Sequence, residues 1–215
     1  MSELLLKSGL SYLLGSLIGS LIVGRLCGGV DIRTLGSGNA GGTNALRTQG
    51  KGFAVWVLCI DIGKGWIATR VIAPLNIPGI PVASPELREW LVTACGIAVI
   101  LGHVYPLWFG FRGGKGVATL IGVLLGVEPL LLLFMLLTWL VLVLLAGFIG
   151  LASITAALAL PAYIALSGHE PRQPLLVFGL FVALLVAFTH RANISRMLSG
   201  TEPRSRLWLF RRRHS

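Results

Sequence analysis

The sequence predicts an all-α integral membrane protein with seven transmembrane helices, its N-terminus outside and its C-terminus in the cytoplasm. Three observations carry that prediction. Of 215 residues 55% are hydrophobic and mean hydropathy is +0.84, while charged residues reach only 12%, about half the roughly 25% of a soluble domain. Apolar runs recur at Leu4–Gly24, Phe53–Ile72, Trp90–Trp108, Val117–Val127, Pro129–Phe148, Ile149–Leu166 and Pro174–Thr189, each judged against the roughly 20 residues that a spanning helix needs. Lysine and arginine are also distributed unevenly: with the N-terminus outside, thirteen fall on inner segments and four (Lys7, Arg70, Arg88, Arg172) on outer ones. That asymmetry obeys the positive-inside rule. It accounts for the net charge of +10 without nucleic acid as a partner.

The first run carries Gly15 and Gly19 beside Ser16 and Ser20, a small-residue spacing that admits close approach of a neighbouring helix. It has the apolarity of a signal peptide but no convincing cleavage site, so it is expected to remain a membrane helix. The segment 36–52 follows, a loop of glycines, hydroxyls and amides with Arg47 and Lys51 and no acid. Gly36, Gly38 and Gly41 happen to spell a dinucleotide fingerprint, but no strand precedes them and Asp61 lies in an apolar helical run, so that reading fails. What remains is a cradle for an oxyanion.

The second run holds Asp61 and Lys64 three residues apart, on one helical face. Charges inside a span face the bundle interior and pair, so the two are expected to form an internal brace. After a proline-rich outer connection, the third run leads into Gly102–Thr119, which packs five glycines, Pro106, His103, Arg112 and Lys115 into a short stretch. Gly113, Gly114 and Gly116 allow backbone N–H groups to approach a ligand, and a helix starting near Gly116 points its positive end the same way. Phe109 and Gly116 stand where a nucleotide-binding P-loop requires glycine and a hydroxyl, so this is a site for a compact anion without that motif.

The fourth run is short, with Gly122 and Gly126 at packing spacing, and the fifth is an uninterrupted Leu/Val wall. Ser153 and Thr155 open the sixth after a Gly147–Gly150 turn; each hydroxyl either meets a ligand or bonds back to its own helix. The seventh ends in 190–202, where His190, Asn193 and Arg196 gather near one helical face and Glu202 follows. Residues 203–215 read as a basic tail attracted to anionic membrane lipid. Cys27, Cys59 and Cys95 are too dispersed for a disulfide framework or a metal site. The chain thus reads as one membrane domain, 1–215, with three motif loops on its cytoplasmic side.

Those loops, Ser37-Gly-Asn-Ala-Gly-Gly-Thr-Asn with Arg47, Gly102-His103 through Pro106 to Arg112-Gly-Gly-Lys-Gly-Val-Ala-Thr119, and His190-Arg-Ala-Asn193 with Arg196 and Glu202, resemble the three cytoplasmic motifs of the bacterial PlsY-type acyl-phosphate:glycerol-3-phosphate acyltransferases. The resemblance runs through essentially the whole chain in order. Ala40, Gly42 and Arg112 depart from the residues usual in the family, although Arg112 keeps the charge. What the resemblance implies is a seven-helix protein of the bacterial inner membrane, with a cytoplasmic-side active site and neither metal nor cofactor. The implied reaction moves a fatty acyl group from acyl phosphate to the sn-1 hydroxyl of glycerol 3-phosphate, giving lysophosphatidic acid and phosphate. A soluble enzyme that makes acyl phosphate is the indirect partner.

On this expectation Lys115, Arg47 and the N–H groups near Gly113–Gly116 take phosphate charge, Ser37 and Asn193 orient, and His190 is the general base unless the donor phosphate takes the proton. Gly38, Asn39, Thr43, Asn44, His103, Arg112, Ser153, Arg196 and Glu202 complete the expected substrate-binding set, and the family places glycerol 3-phosphate at 102–119. An organophosphate transporter is the competing class; the absence of an internal repeat and the one-sided polar clusters weigh against it. No histidine here has an aspartate five residues on, so an acyltransferase of the soluble-donor type lacks its base.

Overall fold

The computed structural model describes residues 1–168 and 172–205; the basic cluster at Arg211–Arg213 and the side chain of Arg172 lie outside the described residues. Their regular structure is helical throughout: α1 (Ser2–Gly15), α2 (Gly19–Leu26), α3 (Gly42–Gln49), α4 (Lys51–Ile67), α5 (Pro85–Val104), α6 (Val117–Val127), α7 (Pro129–Ala146), α8 (Ile149–Leu166), α9 (Arg172–Thr189) and α10 (Arg191–Leu198). Helix α4 with its continuation to Ile72, and helices α5, α7 and α8, are each long and apolar enough to cross a membrane, and the number is six if each of two bent pairs counts as one span. Helix α6 has 11 residues, about 16 Å of rise against a hydrocarbon core of about 30 Å. The chain is a multi-pass integral membrane protein, and it forms two compact units, Met1–Glu128 and from Pro129 onward.

In the first unit α1 packs along α5, and α4 packs against α2, α3 and α6. The close approaches occur where a β-carbon is missing: one on Gly15 would collide with the Val99 carbonyl oxygen of α5, and one on Gly122 with the Ile62 carbonyl oxygen of α4. This bears out the packing role read from the small-residue spacings. The first apolar run is not one helix, however. It breaks after Gly15, passes through extended Ile18, and restarts as α2 at a bend of 44°.

A break inside a membrane span strands backbone groups that lipid cannot satisfy. Here the second-helix charges satisfy them. Lys64 Nζ donates to the carbonyls of Gly15 (2.9 Å) and Leu17 (2.8 Å), and the Gly19 N–H donates to Asp61 Oδ1 (3.1 Å). The cation thus meets the negative end of α1 and the carboxylate the positive end of α2, as the helix dipole prefers. Asp61 and Lys64 also pair directly at 2.9 Å and are fully buried.

In the second unit α8 lies between α7 and α9. Gly147, at φ +81°, ends α7, and extended Phe148 begins α8. Helix α9 stops at His190, and α10 leaves it at 52°, so the seventh apolar run continues past its expected end as a second bent pair.

Candidate active site

The Ser37 loop is built around Asn44. From the first turn of α3, fully buried, its amide nitrogen reaches the carbonyls of Ile32 (2.9 Å), Leu35 (3.0 Å) and Asn39 (3.0 Å), and its Oδ1 accepts the Ser37 N–H (3.0 Å). Both faces of the amide are therefore used by the loop itself. Asn44, expected among the substrate-binding residues, is the residue that shapes the cradle from within. Ser20 Oγ adds a bond to the Ala40 carbonyl at 2.8 Å. Ser37, Gly38 and Thr43 stay exposed and Asn39 is half-buried, while the Gly38 N–H is spent within the loop on the Leu35 carbonyl (3.0 Å). Arg47 is exposed on α3 and has no hydrogen-bond or ion-pair partner among the described residues.

The second loop folds back on the end of α5. Helix α5 cannot continue through Tyr105, because the following Pro106 disfavours helical backbone there. The turn that results holds Phe111 in the left-handed region at φ +57°, with its N–H on the Pro106 carbonyl. Gly113 N–H then donates to the Val104 carbonyl and Gly114 N–H to the His103 carbonyl, both at 3.1 Å. These two donors were expected to hold an anion; they instead satisfy carbonyls left open at the end of α5. Gly114 has a different task, since a β-carbon on it would collide with His103 Nε2. Gly116, at φ +86°, starts α6, and Lys115 is half-buried beside it.

Arg33 joins the two loops, and in the sequence it is one of the thirteen inner-side cations with no mark of its own. Its Nη1 donates to the carbonyls of Phe109 (3.0 Å) and Arg112 (3.1 Å), while Nε and Nη2 grip Asp31 (2.7 Å at the shortest). The guanidinium beside it holds the Asp31 carboxyl below the usual aspartate value. Phe109 also packs on the cluster of Ile18, Leu21 and Ala40. Segments 36–41 and 106–116 therefore form one body that carries Ser37, Arg112 and Lys115. The spacing of a fork-shaped donor against two loop carbonyls leaves no sequence signature.

His103 lies beneath this body and is buried. Its Nδ1 is 2.9 Å from Lys64 Nζ and 3.4 Å from Asp61 Oδ1. An ammonium has no lone pair, so along the shorter contact Nδ1 accepts and the ring proton sits on Nε2, the edge that meets Gly114.

In the second unit His190 caps α10 and is buried, with Nδ1 2.8 Å from the Val186 carbonyl. A carbonyl only accepts, so Nδ1 carries the proton and Nε2 keeps the basic lone pair of the neutral ring. Glu202 is buried between Asn193 and Arg196, accepting from Asn193 Nδ2 (2.6 Å) and Arg196 Nε (2.7 Å). The structure thus ties Asn193, Arg196 and Glu202 together on α10 and the segment after it, with His190 at the N-cap of the same helix. Of the two alternatives read for Ser153, the back-bonded one is seen: its hydroxyl donates to the Ile149 carbonyl (2.9 Å) and accepts from Trp139 Nε1 (3.2 Å). No group of His, Cys, Asp or Glu among the described residues has a metal-binding arrangement.

Residues 5–200 match the model of a family described as glycerol-3-phosphate acyltransferase. Curated proteins of that name are similar over most of the chain: 39% identity to one from Aquifex aeolicus (90% of this chain, 95% of that protein), 39% to one from Chlorobium luteolum (95% and 97%) and 40% to one from Bordetella pertussis (91% and 88%). The crystal structure of PlsY (YgiH), an integral membrane glycerol 3-phosphate acyltransferase, superposes in its glycerol 3-phosphate form with a TM-score of 0.82 at 37% identity, covering 94% of each chain. Its lysophosphatidic acid form gives 0.81 at 36%, covering 96% of this chain and 98% of that one. Matched by the family model over residues 5–200 and by relatives and a solved structure over most of its length, this chain belongs to the PlsY-type membrane glycerol-3-phosphate acyltransferase family.

Proposed function

We propose that the protein transfers a fatty acyl group from acyl phosphate to the sn-1 hydroxyl of glycerol 3-phosphate, releasing lysophosphatidic acid and phosphate at the cytoplasmic face of a bacterial inner membrane. The observation that carries the reading is the single body formed by two acid-poor loops, clamped by Arg33, that present Ser37, Arg112 and Lys115. Both substrates carry a phosphate, and one carries an acyl tail that suits a chain immersed in lipid. The whole chain is taken as one membrane enzyme in which α6 completes a seventh crossing, with the N-terminus outside; the thirteen-to-four charge asymmetry supports that orientation.

In the reaction the sn-1 oxygen attacks the acyl carbon, the bond from that carbon to the phosphate oxygen breaks, and phosphate leaves. An acyl phosphate is already activated, so the protein's share is to position the hydroxyl and hold the departing charge. Lys115 and Arg47 take phosphate charge. Ser37 and Asn193 orient, with Gly38, Asn39, Thr43, His103, Arg112, Gly116 and Arg196 around the substrates and Glu202 holding Asn193 and Arg196. The hydroxyl proton has two candidate acceptors, His190 Nε2 and the departing phosphate. A His190→Gln variant separates them. Loss of kcat together with loss of a titration near neutral pH makes His190 the base, whereas a raised KM with an unchanged pH profile gives it an orienting role. Sided uptake of glycerol 3-phosphate into proteoliposomes without product formation would replace this reading by transport.

A further inference from the structure

Resting on that reading, we propose that Asp61 and Lys64 are positioning residues for the transfer, coupling both anion cradles through one buried cluster. Nothing in the chemistry of the reaction calls for them, and neither is exposed to a substrate. Their contacts run in both directions. Toward the first cradle, Asp61 Oδ1 holds the Gly19 N–H, and the adjacent Ser20 Oγ holds the Ala40 carbonyl of the Ser37 loop. Toward the second, Lys64 Nζ meets His103 Nδ1, and His103 supports the turn twice, by its carbonyl on the Gly114 N–H and by its ring edge against Gly114, next to Lys115. A path of direct contacts thus leads from Ala40 through Ser20, Gly19, Asp61, Lys64 and His103 to Gly114.

A brace made only for stability has a cheaper solution. Buried ion pairs are often replaced by apolar residues with no loss of stability, and this pair leaves Asp61 Oδ2 without a hydrogen-bond partner among the described residues. What an apolar replacement does not reproduce is direction: Lys64 sets which His103 nitrogen carries the proton and where its ring lies, and the Asp61 carboxylate sets where α2 begins. Displacement of a substrate by even about 1 Å costs on the order of 10²-fold in rate.

The test is the double variant Asp61→Asn/Lys64→Met, which removes both charges together so that neither is left buried alone, compared with wild type and His103→Asn, which keeps an acceptor toward Lys64 but has no group at the Nε2 position. The expected result is a double variant that purifies folded, with kcat/KM for glycerol 3-phosphate down about 10²-fold and faster backbone hydrogen exchange in both 36–41 and 113–116. His103→Asn is expected to lose activity with faster exchange in 113–116 alone. Near-wild-type kcat and KM in the folded double variant, or unchanged exchange in either segment, would overturn the proposal. If the double variant does not fold, a His103→Asn protein with wild-type kinetics overturns it equally. Exchange does not depend on turnover, so a wild type that transfers no acyl group would remove the proposed reaction while still deciding the coupling.

Discussion

Arg33→Ala is expected to lower activity although Arg33 touches no substrate in the proposed reaction. The side chain gives up two bonds to loop carbonyls, at 3.0 Å to Phe109 and 3.1 Å to Arg112, and its fork on Asp31. A hydrogen bond from a charged donor contributes about 1.5–3 kcal/mol when shielded. The bond to Arg112 is exposed and the Asp31 side chain is 39% exposed, so both count for little. The bond to Phe109 therefore dominates, at about 1.5–2 kcal/mol, which makes the undocked loop about tenfold to thirtyfold more populated relative to the docked one. A fall in kcat/KM of up to that factor is expected in a phosphate-release assay with acyl phosphate and glycerol 3-phosphate in detergent. Arg33→Lys should fall between, because an ammonium reaches one carbonyl but does not form the bidentate fork. An Arg33→Ala protein with wild-type kcat/KM would refute the claim that this clamp assembles the two loops.

Lys115→Ala and Arg47→Ala should each lower turnover by at least the ~10²-fold typical of losing one transition-state donor, and near-wild-type turnover in either purified variant removes that residue from the mechanism. Gly116→Ala places a β-carbon at φ +86° and 3.0 Å from Ile100 Cγ2; a loss of about 1–2 kcal/mol from the left-handed backbone is expected in thermal unfolding, and an unchanged midpoint contradicts the backbone assignment. Because Arg33 depresses the Asp31 pKa, that carboxylate's stabilising share is present above its ordinary value of about 3.9 and is lost only as pH falls through the lower folded value. Any acid decline in kcat/KM that begins above about pH 5 should therefore have the same shape in Asp31→Asn and in wild type; a profile shifted in the variant would assign the decline to this clamp.

Much of the helical order was legible because its punctuation is chemical. Gly116 and the Gly147-Phe148 pair start α6 and α8 where the apolar runs suggested, and Asp61 with Lys64 announced a buried pair. The break at Ser16–Ile18 was not legible, since Gly15, Ser16, Gly19 and Ser20 read equally as helix-packing residues and the groups that satisfy it come from Asp61 and Lys64 on another helix. Asn44, Gly113 and Gly114 had the right residue types for an anion site but spend their donors on the chain itself. Arg33 was hidden for the opposite reason: among so many inner-side cations, only three-dimensional geometry distinguishes the one that reaches two loop carbonyls.

The most direct measurement is phosphate release by the purified protein in lipid or detergent, given palmitoyl phosphate with and without glycerol 3-phosphate, and palmitoyl-CoA as a parallel donor. The account predicts release that requires glycerol 3-phosphate and is matched by lysophosphatidic acid, with no product from palmitoyl-CoA. Product from palmitoyl-CoA and none from palmitoyl phosphate would contradict the donor, and no product from either would contradict the reaction.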